Sequence, residues 1–167
     1  MANIENNLGV IAMEIDTPDI AEAHFGEALT KYQSKSNRSS NVTSGINLLF
    51  VFLIQDQQLN YRRLSPSMTR LTEVFPNVTR QNTLFWLNTV FQIRQGLVLN
   101  EQIKTQLEDS FYKINDSKLQ FSLKKHFAKE LNVNVPLPIK IPQQQSIPLW
   151  FNEINQCDWE QLKKHKI

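Results

Sequence analysis

Hydrophobic residues recur at helical spacing through most of this chain. Ala21, Phe25, Ala28, Leu29 and Tyr32 share one helical face and predict an amphipathic helix up to about Gln33. It opens at Thr17-Pro18-Asp19, where a hydroxyl can cap free amides, proline suits the first helical position, and an acid faces the positive end of the dipole. Residues 34–44 are rich in Ser and Asn and predict a loop. The most apolar run follows, from Ile46 to Ile54, and predicts a buried helix reaching about Leu59. Ser65-Pro66 repeats the cap-plus-proline pattern, with Met68, Leu71 and Phe75 at i, i+3 and i+7 before Pro76 ends the helix.

Between Thr79 and Gln95 the residues Leu84, Phe85, Trp86, Leu87, Val90, Phe91 and Ile93 cover nearly every helical face, which predicts a central helix. Gly96 supplies a left-handed C-cap, and Leu97-Val98-Leu99 reads as a short strand or a packed exit. Residues 97–114 admit two readings. Ile103, Leu107, Phe111 and Ile114 fit a helix, whereas the stretch from Gly96 to Leu107 also fits a small winged-helix-like hairpin. Asp116-Ser117 caps a further helix with Leu119, Leu123, Phe127 and Leu131 spaced by four.

The pattern changes after Asn132. Val133, Val135, Leu137, Ile139 and Ile141 alternate with polar residues and with Pro136, Pro138 and Pro142, which predicts an extended arm that cannot be a central strand. Gln143-Gln144-Gln145-Ser146 reads as a hinge, and from Pro148 a last helix sets Trp150, Ile154 and Cys157 on one face, flanked by Phe151, Trp159 and Leu162. The expected architecture is therefore mainly α. A compact helical domain covers 1–132, a proline-rich arm and hinge cover 133–147, and a C-terminal helix covers 148–167.

Composition narrows the chemistry. With 41% hydrophobic residues and ten Phe in 167 residues, the chain can bury a core without disulfides or metal, and its one cysteine permits neither a disulfide framework nor a Cys-based zinc site. His24, His126 and His165 form no ligand pair, and the four glycines form no phosphate-cradling loop, so no metal, nucleotide or other cofactor is expected. No paired carboxylates suggest acid–base chemistry, and Cys157 has no base near it in sequence, so the chain is not expected to be an enzyme. Residues 1–7 lack a basic and apolar leader, and no run approaches the roughly 20 apolar residues of a membrane span, so a cytoplasmic protein with no membrane contact is expected.

Charge is polarised along the chain. Three basic and seven acidic residues precede Tyr61, against fifteen and nine from there on. Arg62, Arg63, Arg70, Arg80 and Arg94 accompany only Glu73 in their stretch, a composition suited either to DNA or an acidic partner, or to locally paired, solvated helix ends. On the C-terminal arm and helix, Val135, Leu137, Ile139, Trp150, Phe151, Ile154 and Trp159 are the candidate contacts for a protein partner, by strand addition along the arm and aromatic anchoring beyond it.

Three stretches carry a resemblance: Ala28-Leu29-Thr30-Lys31-Tyr32-Gln33 at the end of the first predicted helix, the run Ile46-Asn47-Leu48-Leu49-Phe50-Val51-Phe52-Leu53-Ile54, and Thr79-Arg80-Gln81-Asn82-Thr83-Leu84-Phe85-Trp86-Leu87 leading through Gly96 into Leu97-Val98-Leu99. Their order resembles the small middle component of three-component systems that join it to an SMC-like ABC ATPase and an effector, including Lamassu-type antiphage defence. The likeness covers roughly the first hundred residues and consists of hydrophobic patterns. Gln55-Asp56-Gln57-Gln58 departs from it, being polar where that family keeps an apolar or basic turn, and the proline-rich arm has no counterpart there. The resemblance implies a non-catalytic adaptor between an SMC-like ATPase subunit and an effector protein, in a complex that responds to DNA, and it transfers no catalytic residue. Two other readings stay open: a stand-alone helical or winged-helix DNA-binding regulator, and a phage or immunity-type inhibitor acting by surface contact.

Overall fold

The computed structural model describes residues 2–33 and 38–137. These form seven helices and no strand. The helices are α1 (Ala2–Glu14), α2 (Pro18–Gln33), α3 (Arg38–Ile54), α4 (Gln58–Val74), α5 (Val78–Arg94), α6 (Glu101–Lys113) and α7, which runs through Ser117–Leu123, a π-helical stretch Lys124–Ala128 and a last turn Lys129–Leu131. The unit they belong to extends through Pro136, four residues past the expected boundary. The arm beyond Leu137 and the expected C-terminal helix lie outside the described residues.

The sequence pattern accounts for most of these elements. In α2 the residues Ala21, Phe25 and Ala28 are buried, and α5 packs against α3, α4, α6 and the end of α7, as a helix apolar on nearly every face must. In α7 a strict spacing of four overshoots the 3.6-residue turn by about 40° per step, so the stripe would drift off the core. The wider π turn brings Phe127 and Leu131 back to the buried face. Side-chain carboxamides or a carboxylate cap the N-termini of α5, α6 and α7. Asn77 accepts from the Arg80 amide, Asn100 from the Ile103 amide, and Asp116 from both Lys118 and Leu119 amides.

Four helices end in the same way, with one residue in the left-handed region and the next amide returning to a carbonyl five residues back. Asp16 (φ 61°), Asp56 (φ 54°), Gly96 (φ 97°) and Asn132 (φ 50°) take the left-handed position. Thr17, Gln57, Leu97 and Val133 donate to the carbonyls of Ala12, Phe52, Gln92 and Ala128.

Four expectations are corrected, and the choice left open over residues 97–114 is decided for the helix. The Thr17 hydroxyl does not cap α2; it donates to the Ala12 carbonyl at 2.9 Å and closes the end of α1. The loop after α2 is shorter than residues 34–44, because α3 begins at Arg38 and buries Val42, Ser44 and Gly45 ahead of the apolar run. That helix stops at Ile54 rather than near Leu59, where Asp56 turns the chain. Pro66 does not open a helix; α4 begins at Gln58 and carries Pro66 inside, on its solvent face. Residues 97–100 are irregular and Glu101–Lys113 is helical, so the winged hairpin is not formed. In addition α1, which is not among the elements expected above, packs along α2.

Candidate interaction surfaces

Helix α4 turns Tyr61, Met68 and Thr72 inward and leaves Arg62, Arg63, Pro66, Arg70 and Glu73 on one exposed face. Tyr61 fixes that orientation: its ring stacks on Phe91 of α5 at 4.7 Å between centroids, and its hydroxyl donates to Asn88 Oδ1 at 2.7 Å. Burial pushes the Tyr61 hydroxyl far above the usual phenol range, so it stays protonated and keeps that bond. Arg62, Arg63 and Arg70 form no ion pair among the described residues. Beside Arg70 a shallow groove of about 470 Å³ runs between α4 and α5, lined by Ser65, Pro66, Thr69, Asn88, Phe91 and Gln92. Two exposed apolar residues, Leu59 and Val74, stand at the ends of the arginine face.

The other two candidate arginines face inward. Arg94 grips both carboxylate oxygens of Glu130 on α7 at 2.8 Å, donates from Nη1 to the Leu53 carbonyl at 2.6 Å, and sits over the Phe127 ring. The Glu130 carboxylate beside it holds the guanidinium charged well above its ordinary range. Arg94 is therefore a clamp between the ends of α3, α5 and α7 rather than a surface contact. Arg80 is half-buried at the start of α5 and donates from Nε to Thr43 Oγ1 at 3.0 Å.

Arg80 also borders a cleft of about 530 Å³ whose walls come from α1, α3, α5 and α7. Val10, Met13, Ile46, Phe50 and Leu119 make one side apolar, and a polar knot lies at another, where Asn6 Oδ1 accepts from Ser44 Oγ at 2.9 Å and from Asn47 Nδ2 at 3.2 Å. Lys118 and Glu14 pair at 2.6 Å on its rim. Among the described residues no group of three or more His, Cys, Asp or Glu is placed to hold a metal ion, and no helix is long and apolar enough to cross a membrane.

No family model, curated protein or solved structure matches the chain. The surfaces must be read from their own chemistry. Helix α5 cannot serve as a DNA-recognition helix through Leu84, Trp86, Leu87 and Val90, because all four are buried and Trp86 Nε1 donates into α6, to the Leu107 carbonyl and Ser110 Oγ.

Of the arm's candidate contacts, Val135 is 1% exposed and belongs to the core of the first unit, so it is not offered to a partner. Leu137 is the last described residue, and Ile139, Trp150, Phe151, Ile154 and Trp159 lie outside the described residues. One surface escaped the sequence reading. Ile4, Leu8, Ile11 and Ile15 form an exposed stripe along α1, and their spacing of four, three and four was the pattern that could have revealed it.

Proposed function

We propose that this protein is a non-catalytic adaptor that holds an acidic protein surface on the arginine face of α4. The carrying observation is the sorting of the arginines. Arg94 is neutralised by Glu130, whereas Arg62, Arg63 and Arg70 stand together, exposed and without an ion pair among the described residues. Free guanidinium groups beside a groove suit bidentate recognition of carboxylates.

Two features favour protein over nucleic acid as the occupant. Exposed Leu59 and Val74 offer apolar contact that a phosphate backbone cannot use. Three phosphate contacts, with a log–log salt slope of about −2.7, would also release few counterions and so add little affinity for nucleic acid. The finer assignment is an adaptor between an SMC-like ATPase and an effector in a cytoplasmic, DNA-responsive defence complex. It is supported by the three hydrophobic stretches quoted above, which fall on α2, α3 and α5, consecutive neighbours through α3.

Tagging the full chain in its native host and identifying co-purifying proteins by mass spectrometry tests this assignment. An SMC-like ATPase recovered in fixed ratio is the expected result. A chain recovered alone, or one that shows nuclease or nucleotide-hydrolysing turnover abolished by a point substitution in it, would overturn the reading.

A further inference from the structure

Five residues trace one line along the outer side of α4. Leu59, Arg63, Pro66, Arg70 and Glu73 follow one another at steps of four, three, four and three, and all five are exposed. Tyr61, Met68 and Thr72 are buried on the opposite side, while Arg62 flanks the line on one edge and Val74 on the other. Steps of four and three keep side chains on a seam between two helices.

We infer, resting on the reading of this face as a protein-binding surface, that its occupant is an acidic amphipathic helix of another chain. That helix carries two carboxylates seven residues apart and an aliphatic residue between them.

Distance selects a helix. Arg63 and Arg70 are seven residues apart, so their Cα atoms stand about 10.5 Å apart along α4. Carboxylates seven residues apart on a partner helix share one face and repeat that distance. An extended segment sets same-face side chains about 7 or 13 Å apart and so falls out of register with the two arginines.

Charge selects the acids. Arg62, Arg63 and Arg70 form no ion pair among the described residues, and a guanidinium receives a carboxylate through two parallel hydrogen bonds. Glu73 lies on the same line and faces a neutral or basic residue of the partner. The groove accounts for the aliphatic residue. It runs beside Arg70, where Pro66 and the half-buried Phe91 ring give apolar surface among Ser65, Thr69, Asn88 and Gln92. A side chain three or four residues from each carboxylate reaches it, which is the anchor pattern of a helix laid in a groove.

A second copy of this chain does not supply such a helix. Among the described helices only α6 has carboxylates seven residues apart, Glu101 and Glu108. Lys104 holds the first and the Asn134 amide holds the second.

The test is a nuclear magnetic resonance titration of the full chain with an alanine-rich helical peptide carrying two glutamates seven residues apart and one leucine between them. A control peptide of identical composition sets the glutamates five residues apart, on different faces. Shifts on α4 and the adjoining side of α5 are expected, with a dissociation constant on the order of 100 µM. The control should bind at least about fivefold more weakly, and Arg63→Glu or Arg70→Glu should each weaken the first peptide about tenfold without disturbing the rest of the spectrum.

Equal binding of the two peptides, or no shift on α4 at millimolar peptide, overturns the inference. Recovery of the native complex is a separate readout, because it requires the arginine face but not a helical occupant. Register-blind peptide binding, with a native partner lost on substitution of the arginines, therefore removes the helix and leaves the adaptor reading standing. A short DNA duplex that shifts α4 at lower concentration than the peptide overturns both.

Discussion

Gly9 lies where α1 meets the Phe25 ring of α2. A Cβ placed there would stand 2.5 Å from Phe25 Cε1 and 2.6 Å from Cδ1, and Phe25 is itself fully enclosed, so its ring has little freedom to yield. Alanine normally favours a helix over glycine by about 1 kcal/mol, but overpacking a closed contact costs about 1–3 kcal/mol, so the clash should win. Gly9→Ala is expected to lower unfolding stability, by up to about 2 kcal/mol, in a denaturant titration. A raised midpoint would mean that α1 is not seated on Phe25. His126 gives a second expectation at this scale. Its ring is packed edge-on against Phe50, and burial holds its pKa below the ordinary 6.5, with Lys125 adding to the effect and Asp16 opposing it. As pH falls, the unfolded chain takes up this proton before the folded one does. The contribution is therefore complete above about pH 6.5 and declines below it. His126→Gln should flatten the fall in melting temperature just below pH 6.5 while leaving the separate loss from Glu5, which begins below its ordinary 4.5. An unchanged profile in that upper window would exclude His126 as its source.

At the scale of the helix, Pro66 is the sharpest case. An interior proline removes a hydrogen bond and crowds the preceding turn, costing about 3 kcal/mol. In α4 it lies on the solvent face beside exposed Arg62, whose carbonyl would otherwise receive that bond, so the defect falls where water can reach it. Pro66→Ala is thus expected to raise stability by about 1–3 kcal/mol, read from the shift in denaturant midpoint. A neutral result would instead fit a helix that starts at Pro66. The same residue explains why the start of α4 was not legible in the sequence: proline after serine looks the same at a first turn as in an interior. Helices α2, α5 and α7 were legible because their apolar residues face the core and their ends carry proline, glycine or aspartate. The early start of α3 was hidden by small and polar residues that turn out to be buried, Ser44 on Asn6 and Gly45 close to the Met68 side chain. Helix α1 was legible in the spacing of Ile4, Leu8, Ile11 and Ile15, but not the fact that this stripe faces outward while Gly9 and Ala12 face the core.

Over the whole molecule, the candidate site was legible only as a composition. Five arginines within one stretch of sequence pointed to a basic surface, but their division depends on a partner 36 residues from Arg94, Glu130, and on a helix orientation set by Tyr61. Arg94 should therefore behave as a stability residue. Arg94→Met, which leaves Glu130 without its partner in a half-covered pair and removes one of two donors to the Leu53 carbonyl, is expected to cost about 1–3 kcal/mol without touching partner binding. The exposed set should behave in the opposite way. The most direct measurement is recovery of the native complex with the full chain carrying Arg62→Glu, Arg63→Glu and Arg70→Glu together, compared with wild type and accompanied by a thermal melt of each purified chain. The account predicts an unchanged melting temperature and loss of the partner held by wild type; a partner recovered in equal amount by both chains would contradict it.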